Sequence, residues 1–396
     1  MLSMEMIRDA QETLNGVARL TPLVHAPAIG ENVYVKCENL QMTGAFKLRG
    51  AYYKVSSLTD EEKARGVIAC SAGNHAQGIA YSATKMGVKS IICMPAGAPL
   101  SKIEATKNYG AEVVLVNGVY DDAYNRAVEL TNEHGYTFAH PFNDERVIAG
   151  QGTIALEILD QCPEVEQIIV PIGGGGLISG IAYAVKHLKP ACKVIGVQAA
   201  GAPSMYESLR EKRPIELKSV STIADGIAVK KPGELTFELC SEYVDEVVTV
   251  SEDEIASAIL TLMETQKTVS EGAGATSVAA AMFGKADTTK KTVCVVSGGN
   301  IDVGILSRVI TKGLTKAGRI TEIKTKVTDK PGSLMNMLHI VAQTGANIMS
   351  VDHKREDKES EINSCVVYMV LETRNTEHVE QIHGDLEAAG YSILDV

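Results

Sequence analysis

Short apolar runs alternate with amphipathic stretches over most of the chain. Between residues 60 and 300 the apolar runs predict six β-strands, which are Gly66–Cys70, Ser90–Met94, Glu112–Val116, Gln167–Pro171, Lys193–Val197 and Thr292–Val296. Helical periodicity between them predicts Ala76–Met86, Asp121–His134 and Leu177–Leu188. Strands that alternate with helices indicate an α/β protein with mostly parallel sheets. Loops that follow the carboxyl ends of such strands share one side, so we expect the functional residues there.

The pattern changes near residue 311. The segment Thr311–Arg319 is polar, contains glycine and lacks apolar periodicity, so we predict a linker there. The next elements are predicted in the order strand, helix, strand, strand, helix, strand: Glu322–Val327, Ser333–Thr344, a strand from Ile348, Asn363–Thr373, a helix near Glu377–Ala389 and Ser392–Val396, with a charged hairpin over Lys354–Glu361. This order is that of a ferredoxin-like unit. We therefore predict one large domain over 1–318 and a separate small domain over 322–396.

Composition and charge exclude several classes of protein. The 396 residues are 45% hydrophobic and 22% charged, with a net charge of −11 and no long basic run. These values are typical of a globular protein and argue against nucleic acid or an anionic membrane as a partner. No apolar run reaches the roughly 18 residues that a membrane span needs, and the N-terminus has no pattern of a signal peptide.

The eight cysteines are scattered singly, and no two of them form a C-x-x-C pair. Several lie in apolar strand-like runs, as Cys70 and Cys294 do. Isolated cysteines of this kind are typical of buried free thiols in a reducing compartment, and they predict neither a disulfide framework nor a zinc site. We therefore expect a cytoplasmic protein.

Lys47 lies in the run Gly44-Ala45-Phe46-Lys47-Leu48-Arg49-Gly50. Apolar neighbours desolvate an ammonium group, which lowers its pKa and favours the neutral amine that attacks carbonyl groups. The alternative is a structural lysine that extends its ammonium group from a buried helix start to solvent.

A run of four glycines, Gly173 to Gly176, follows the predicted strand Gln167–Pro171 and precedes a helix that begins at Leu177. Successive glycines let backbone N–H groups surround an anion, and a helix N-terminus adds a favourable dipole. A nicotinamide dinucleotide is the main competing ligand. The run does not fit G-x-G-x-x-G, however, and the next strand reaches Gln198 where a ribose-binding acid is expected. We therefore predict a phosphate site for a cofactor of mononucleotide size; the alternative is a flexible turn.

Two more loops carry polar groups directly after predicted strands. The run Ser71-Ala72-Gly73-Asn74-His75 follows Cys70, and its donors suit a carboxylate ligand or a cofactor oxygen, although Ser71 also suits a structural helix cap. The run Ser297-Gly298-Gly299-Asn300 places a hydroxyl group after the last strand of the large domain. His140 lies in a loop near the expected cleft, and its simplest role is to order that loop.

These motifs, in this order, resemble those of the fold-type II pyridoxal-phosphate enzymes, and among them the threonine/serine dehydratases. The resemblance covers residues 5 to about 318. It implies a fold like that of the tryptophan synthase β subunit, with two parallel-sheet subdomains, the smaller inserted at about 50–145. Asp329-Lys330-Pro331-Gly332 and Gly345-Ala346-Asn347-Ile348 make the C-terminal unit similar to an ACT regulatory domain.

The resemblance implies a role for each motif residue. Lys47 binds pyridoxal 5'-phosphate covalently and removes the Cα proton once it is freed, while Phe46 packs beside the cofactor ring. Asn74 bonds the ring hydroxyl, and Ser297 faces the pyridine nitrogen. The phosphate is bound by Gly173, Gly174, Gly175, Gly176 and Leu177, and the substrate carboxylate by Ser71, Ala72, Gly73, Asn74 and His75. A neutral serine does not keep the nitrogen protonated, which favours loss of a β-leaving group over a long-lived carbanion.

Two departures distinguish this chain from the serine racemases of the same fold. Those enzymes carry a serine where this chain has Ala72, and alanine cannot return a proton to Cα. They also hold a divalent cation with an acidic pair, whereas this chain has Gln198 and Ser204. We therefore expect no metal site.

The resemblance implies conversion of L-threonine to 2-oxobutanoate and ammonia, with L-serine to pyruvate as a secondary activity. It also implies a homodimer or homotetramer with an amino-acid effector, isoleucine or valine, at the ACT domain. The alternatives are a serine-preferring dehydratase and, from another class, an inactive scaffold in which only the ACT unit functions as a sensor. A catabolic role and a role in isoleucine synthesis both stay open.

Overall fold

The computed structural model describes residues 1–357 and 361–394. The chain forms two compact units, Met1–Ile305 and Leu306–Val396. No helix among the described residues is both long and apolar enough to cross a membrane. The helices that lie in the first unit are α1 Met4–Leu14, α2 Lys47–Ser56, α3 Asp60–Arg65, α4 Asn74–Lys85, α5 Leu100–Asn108, α6 Tyr120–His134, α7 Glu145–Gln161, α8 Gly176–Leu188, α9 Ser204–Glu211, α10 Glu234–Tyr243, α11 Glu252–Gln266 and α12 Gly272–Met282.

The larger sheet of the first unit has six strands in the order β1-β2-β10-β7-β8-β9. Its strands are β1 Leu23–His25, β2 Val33–Cys37, β7 Gln167–Pro171, β8 Lys193–Ala199, β9 Glu246–Val250 and β10 Thr292–Val296. All neighbours pair in parallel except β1, which is antiparallel to β2. The central strands β7 and β10 are buried along their whole length, as a sheet covered by helices on both faces requires.

The smaller sheet has four parallel strands in the order β5-β4-β3-β6. These strands are β3 Val67–Cys70, β4 Ser90–Pro95, β5 Glu112–Val116 and β6 Thr137–Phe138. The carboxyl end of β3 leads into α4, and the carboxyl ends of β7 and β10 in the larger sheet lead into the two glycine-containing loops. The loops that begin at Ser71, Gly173 and Ser297 thus all follow the carboxyl ends of strands in the two sheets.

The second unit contains α14 Ser333–Gln343, α15 Thr376–Ala388, β11 Ile320–Thr328, β12 Asn347–Lys354, β13 Ser364–Glu372 and β14 Ile393–Leu394. Its sheet is antiparallel in the order β12-β13-β11-β14, and the element order is β-α-β-β-α-β. This agrees with the ferredoxin-like unit predicted from the sequence. Residues 358–360 of the predicted hairpin and 395–396 of the predicted last strand lie outside the described residues.

The linker predicted at 311–319 is wrong for most of its length, because α13 spans Val303–Lys316. The helix begins earlier than the polar segment, where the Asp302 carboxylate accepts hydrogen bonds from the backbone N–H groups of Gly304 and Ile305. The polar segment forms the last turns of this helix. Its threonine hydroxyls bond backbone carbonyls four residues earlier and so remain compatible with a helix.

Candidate active site

Lys47 is the first residue of α2, and its half-buried side chain is held by two contacts. Its Nζ donates a hydrogen bond of 2.6 Å to the Pro141 carbonyl oxygen and lies 5.3 Å from the centre of the Phe46 ring. Burial lowers the pKa of Lys47 to about 8, although the charge of Glu271 partly opposes this effect. With such a pKa about a tenth of the lysine is the neutral amine at about pH 7, far more than for an ordinary lysine, and this neutral form can act as a nucleophile or base.

The chain before Lys47 is fixed to the loop after β10. The Phe46 N–H donates to the Ser297 carbonyl at 3.0 Å, and the Gly299 N–H donates to the Gly44 carbonyl at 2.9 Å. A side chain at Gly44, where φ is +73°, would collide with Asn300, so only glycine fits this contact. Lys47 and Ser297 are therefore positioned by the same pair of segments, although they lie 250 positions apart in the sequence.

Asn74, the first residue of α4, joins the small sheet to the large one. Its Nδ2 donates to Glu271 Oε1 at 2.7 Å, and its Oδ1 accepts from Asn300 Nδ2 at 2.8 Å. Asn300 Nδ2 also donates to the Thr43 carbonyl at 2.8 Å. Because both ends of the Asn74 amide have partners, its orientation is fixed, and one N–H of its Nδ2 remains for a further acceptor.

Glu271 is a buried carboxyl group at the centre of this network, only 4% exposed. Burial raises its pKa to about 7, and the nearby charge of Asp225 acts in the same direction. The Glu271 backbone N–H also donates to the Gly298 carbonyl at 3.0 Å, which ties it to the loop that carries Ser297. A carboxyl group that titrates near neutral pH beside an amine of depressed pKa is a common feature of active sites.

The loop after β3 presents backbone donors. The Ser71 hydroxyl accepts from the Gly73 N–H at 3.2 Å, and α4 has no side-chain cap, so the N–H groups of its first turn have no intrahelical acceptor. A Cβ atom at Gly73 would meet nothing within 4 Å, so the space beside this residue is open. Ala72 is half-buried in the same loop. This arrangement suits a carboxylate.

The His75 imidazole points away from that open space. It is 2% exposed, and its Nε2 lies 2.9 Å from the Ala139 carbonyl. Burial and then the charge of Lys47 lower the pKa of His75 to about 3, so the ring is neutral and Nε2 donates to the carbonyl. Any contact of His75 with a carboxylate would therefore use its backbone N–H. The ring of His140 orders its own loop, since its Nδ1 accepts from the Phe142 and Asn143 N–H groups at 3.2 and 2.8 Å.

The four glycines between β7 and α8 form a cradle that excludes side chains. Added Cβ atoms at Gly174 and Gly176 would meet Phe142, and Gly175 has a φ of +99° that favours glycine. Leu177 follows as a buried residue of α8, which has no side-chain cap. The N–H groups of the first turn of α8 therefore have no intrahelical acceptor, as an anion site requires.

The residues of the predicted site are thus brought together from loops of both sheets. Ser297 is 2% exposed, and its Oγ makes no hydrogen bond to another residue in the described part of the chain. Gln198 and Ser204, the two positions compared with the cation site of the racemases, carry no carboxylate group. Gln198 accepts from the Tyr206 N–H at 2.8 Å and donates to the Ile172 carbonyl at 3.3 Å, so its amide serves the local structure.

Sequence reasoning missed Glu271 and Thr236 and named Asn300 within its motif without giving it a role. Glu271 and Asn300 form the network around Asn74, and the Thr236 hydroxyl on α10 donates to the Gly174 carbonyl at 2.6 Å and holds the glycine cradle. Glu271 had a usable signal, since it is a lone acid among small residues in Ser270-Glu271-Gly272-Ala273-Gly274. Thr236 had none, because its environment depends entirely on tertiary contacts.

A family described as "Pyridoxal-phosphate dependent enzyme" matches residues 14–299. The chain belongs to this family of pyridoxal-phosphate dependent enzymes, which confirms the predicted fold class and cofactor. It is 51% identical to an L-threonine ammonia-lyase of Thermotoga maritima, over 99% of both chains. The structure of processed threonine deaminase isoform 2 from Solanum lycopersicum matches with a TM-score of 0.74 and 38% identity, covering 78% of this chain and 87% of that one. Maize serine racemase matches with a TM-score of 0.74 and 34% identity, covering 80% and 98%.

The residues present fit this cofactor. The glycine cradle, in which added Cβ atoms would collide, leaves uncapped N–H groups for a phosphate. Lys47 supplies an amine of depressed pKa, and Ser297 places a hydroxyl group directly after β10. Pyridoxal phosphate needs a phosphate site, an amine and a group for its ring nitrogen, and this site offers all three.

Proposed function

We infer that this chain deaminates L-threonine to 2-oxobutanoate and ammonia as a pyridoxal-phosphate dependent lyase. The observation that carries this inference is Lys47, a buried amine with a pKa near 8 between an anion cradle and an uncapped helix N-terminus. The full-length similarity to an L-threonine ammonia-lyase supports threonine as the substrate. L-Serine is the expected secondary substrate, since it differs from threonine by one methyl group and carries the same β-hydroxyl group.

The cofactor, when bound, supplies a carbonyl group that condenses with an amine and a conjugated ring that withdraws electrons from the bonds at Cα. Lys47 contributes the amine and then, as a free base, accepts the Cα proton. Its depressed pKa leaves enough neutral amine to act at neutral pH. Phe46, whose ring centre lies 5.3 Å from Nζ, gives that amine an apolar neighbour.

The other residues hold the reactants in place. We assign the substrate carboxylate to the backbone N–H groups of Asn74 and His75 at the start of α4, beside the open space at Gly73, where the helix dipole favours an anion. The phosphate lies on the N–H groups between Gly173 and Leu177. Asn74 bonds the ring hydroxyl through its remaining N–H, and Ser297 serves the ring nitrogen as a neutral partner.

The decisive experiment compares Lys47→Ala with Lys85→Ala, because Lys85 is an exposed lysine in the last turn of α4. Wild type and Lys85→Ala should show the visible absorbance of a lysine-bound cofactor and form 2-oxobutanoate from threonine. Lys47→Ala should lose both while it retains the far-ultraviolet circular dichroism of a folded chain. Normal turnover in Lys47→Ala would refute the assignment. A wild-type chain without visible absorbance would favour an inactive sensor scaffold.

Serine racemase is a second candidate, favoured by the structural match to the maize enzyme. Ala72 argues against it, because it cannot return a proton to the second face of Cα. Chiral analysis of residual serine after partial turnover should show little D-serine relative to pyruvate. The ratio of kcat/KM for threonine and serine separates a threonine enzyme from a serine-preferring dehydratase, and we expect it to favour threonine.

We further propose that the large catalytic domain spans 1–318 and that the unit over 322–396 is an ACT regulatory domain. The β-α-β-β-α-β order supports this, and so does Gly332, which precedes α14 with a φ of +88° and open space at its Cβ position. Helix α14 has no side-chain cap, so its N-terminus suits the carboxylate of an amino-acid effector, for which we favour isoleucine or valine. Strand β12 is an exposed edge of its sheet, which supports pairing between copies in a homodimer or homotetramer.

Deletion of residues 320–396 tests this regulation. The shortened chain should keep threonine deamination and lose any response to isoleucine or valine, since an effector regulates only by unequal affinity for two states, typically worth about 1–3 kcal/mol. A shortened chain that still responds as the full chain does would place the regulatory site elsewhere.

We also propose that the protein is cytoplasmic. All eight cysteines are free and buried, as is usual in a reducing compartment. The net charge of −11 gives no basis for binding nucleic acid or an anionic membrane, and the full-length similarity to an L-threonine ammonia-lyase supports a small-molecule substrate.

A further inference from the structure

The antiparallel sheet of the second unit brings three ligand-type side chains to one face. In its register Val327 on β11 pairs with Cys365 on β13, and His353 on β12 pairs with Val367. Paired residues share a face, and residues two apart on one strand also share it, so Cys365 and His353 lie on the same face as Asp329, two residues after Val327. One ligand atom of each of these three side chains lies within 4.8 Å of the others.

The cluster lies where the core of this unit meets solvent. Cys365 is 1% exposed, whereas Asp329 and His353 are exposed. The Cys365 Sγ lies 2.7 Å from His353 Nε2 and 3.2 Å from the Val327 carbonyl oxygen. A buried sulfur thus lies beside an exposed imidazole and an exposed carboxylate. Each of the three belongs to a strand or to its immediate end, which positions ligands more accurately than a free loop does.

We propose that Asp329, His353 and Cys365 bind a divalent transition metal ion of the zinc class, with a fourth coordination position open to solvent. A thiolate, an imidazole and a carboxylate are the three ligand types that zinc uses, whereas magnesium and calcium prefer oxygen alone. Metal binding releases the Cys365 thiol proton to solvent, and the sulfur electron pair forms the new bond to the metal. The scattered cysteines predicted no such site, because its ligands come from separate strands.

The geometry needs only local adjustment. Around a tetrahedral zinc ion, sulfur and nitrogen ligands lie about 3.5 Å apart, given bonds of about 2.3 and 2.0 Å. Cys365 and His353 would therefore separate by less than about 1 Å from their present 2.7 Å. The exposed His353 ring provides this movement without disturbing the core.

Arg355 is the natural competitor of the metal ion. Its guanidinium group donates to both Asp329 oxygens, at 2.8 and 3.1 Å. A metal ion must take one of these oxygens from Arg355. Removal of Arg355 should therefore strengthen metal binding. If Asp329 served only as the ion-pair partner of Arg355, the same removal would weaken the cluster and give no gain in metal affinity.

The test uses Co²⁺ and Zn²⁺ with the full-length holoenzyme. Cobalt bound to a thiolate gives a charge-transfer band, which is read as the difference between spectra with and without cobalt so that cofactor absorbance cancels. The affinity of every variant for cobalt and zinc is measured by equilibrium dialysis with metal analysis, which does not depend on the thiolate band. The variants are Cys365→Ala, His353→Asn and Arg355→Gln. The control is Asp352→Asn, which removes an exposed acid of the same strand that is already paired with Lys354 on the opposite face from His353.

We expect one cobalt ion per chain and a thiolate band in wild type and Asp352→Asn. Cys365→Ala and His353→Asn should each weaken binding by at least about tenfold, because loss of even an outer partner of a metal ligand costs roughly 10–100-fold. Arg355→Gln should tighten it. His353 is exposed, so its variant stays informative if the cysteine variant folds poorly. Absence of the band, a band that survives His353→Asn, or weaker binding in Arg355→Gln would overturn the proposal.

Discussion

Replacement of Glu271 by glutamine should change how the stability of the cofactor-free chain depends on pH. Burial raises the pKa of Glu271 from 4.5 to about 7. Because the folded-state pKa lies above the unfolded value, the protonated form stabilises the fold below about pH 4.5, and this stability is lost as pH rises to about 7. At about 1.4 kcal/mol per pKa unit, the loss between about pH 5 and about pH 8 is on the order of 2.5 kcal/mol.

Glutamine does not titrate, so Glu271→Gln should avoid this loss. The glutamine amide also forms different hydrogen bonds with the partners of Glu271. These change the free energy of unfolding by an amount that does not vary with pH. The measured quantity is therefore the change in the stability difference between about pH 5 and about pH 8, obtained from urea unfolding followed by tyrosine fluorescence. Glu238→Gln, which removes an exposed acid of α10, controls for the lost charge. A stability difference that stays constant with pH would refute the reasoning.

Three further substitutions test the site and its support. Gly174→Ala puts a Cβ atom against Phe142 and should weaken cofactor binding by at least about tenfold, or roughly 1.4 kcal/mol, in a cofactor titration. Thr236→Val removes the donor to the Gly174 carbonyl and should lower the free energy of unfolding by about 1–3 kcal/mol. Arg49→Met leaves the fully buried Glu38 without its ion pair of 2.8 Å. This should lower the free energy of unfolding by about 3–5 kcal/mol, as measured by urea unfolding. An unchanged cofactor affinity or an unchanged urea midpoint would contradict the corresponding assignment.

The parallel strands could be located from sequence because they are buried on both faces. The buried strands Gln167–Pro171 and Thr292–Val296 have the predicted bounds, since each is mainly apolar and lies between polar or turn-forming residues. The edge strand Glu112–Val116 also has its predicted bounds, although it is only partly buried. Helix α13 could not be located from the segment 311–319, because the Asp302 cap that starts the helix lies well before that segment. Local composition therefore predicts a buried strand more reliably than it predicts the last turns of an amphipathic helix.

The site was predictable only where one short segment contains its chemistry. Lys47 and the four glycines carry a signal in their immediate neighbours. The Glu271 side chain belongs to the site because it bonds Asn74, which is 197 positions away in the sequence. No local sequence pattern can therefore predict that these two residues interact. Lys36 shows the converse. It is fully buried, yet its ammonium is paired with Glu157 at 2.5 Å, so burial alone does not mark a reactive lysine.

The contact between Asn74 and Glu271 links the protonation of the site to the position of the two sheets. Asn74 follows β3 of the small sheet, whereas Glu271 and Asn300 are fixed to the loop after β10 of the large sheet. A movement that separates the sheets would break both Asn74 bonds and expose Glu271 to water. Burial is the main cause of the raised pKa of Glu271, so exposure would lower that pKa and release a proton. In the arrangement of the sheets in this structure, the two hydrogen bonds of Asn74 both keep Glu271 buried and fix the orientation of the Asn74 amide.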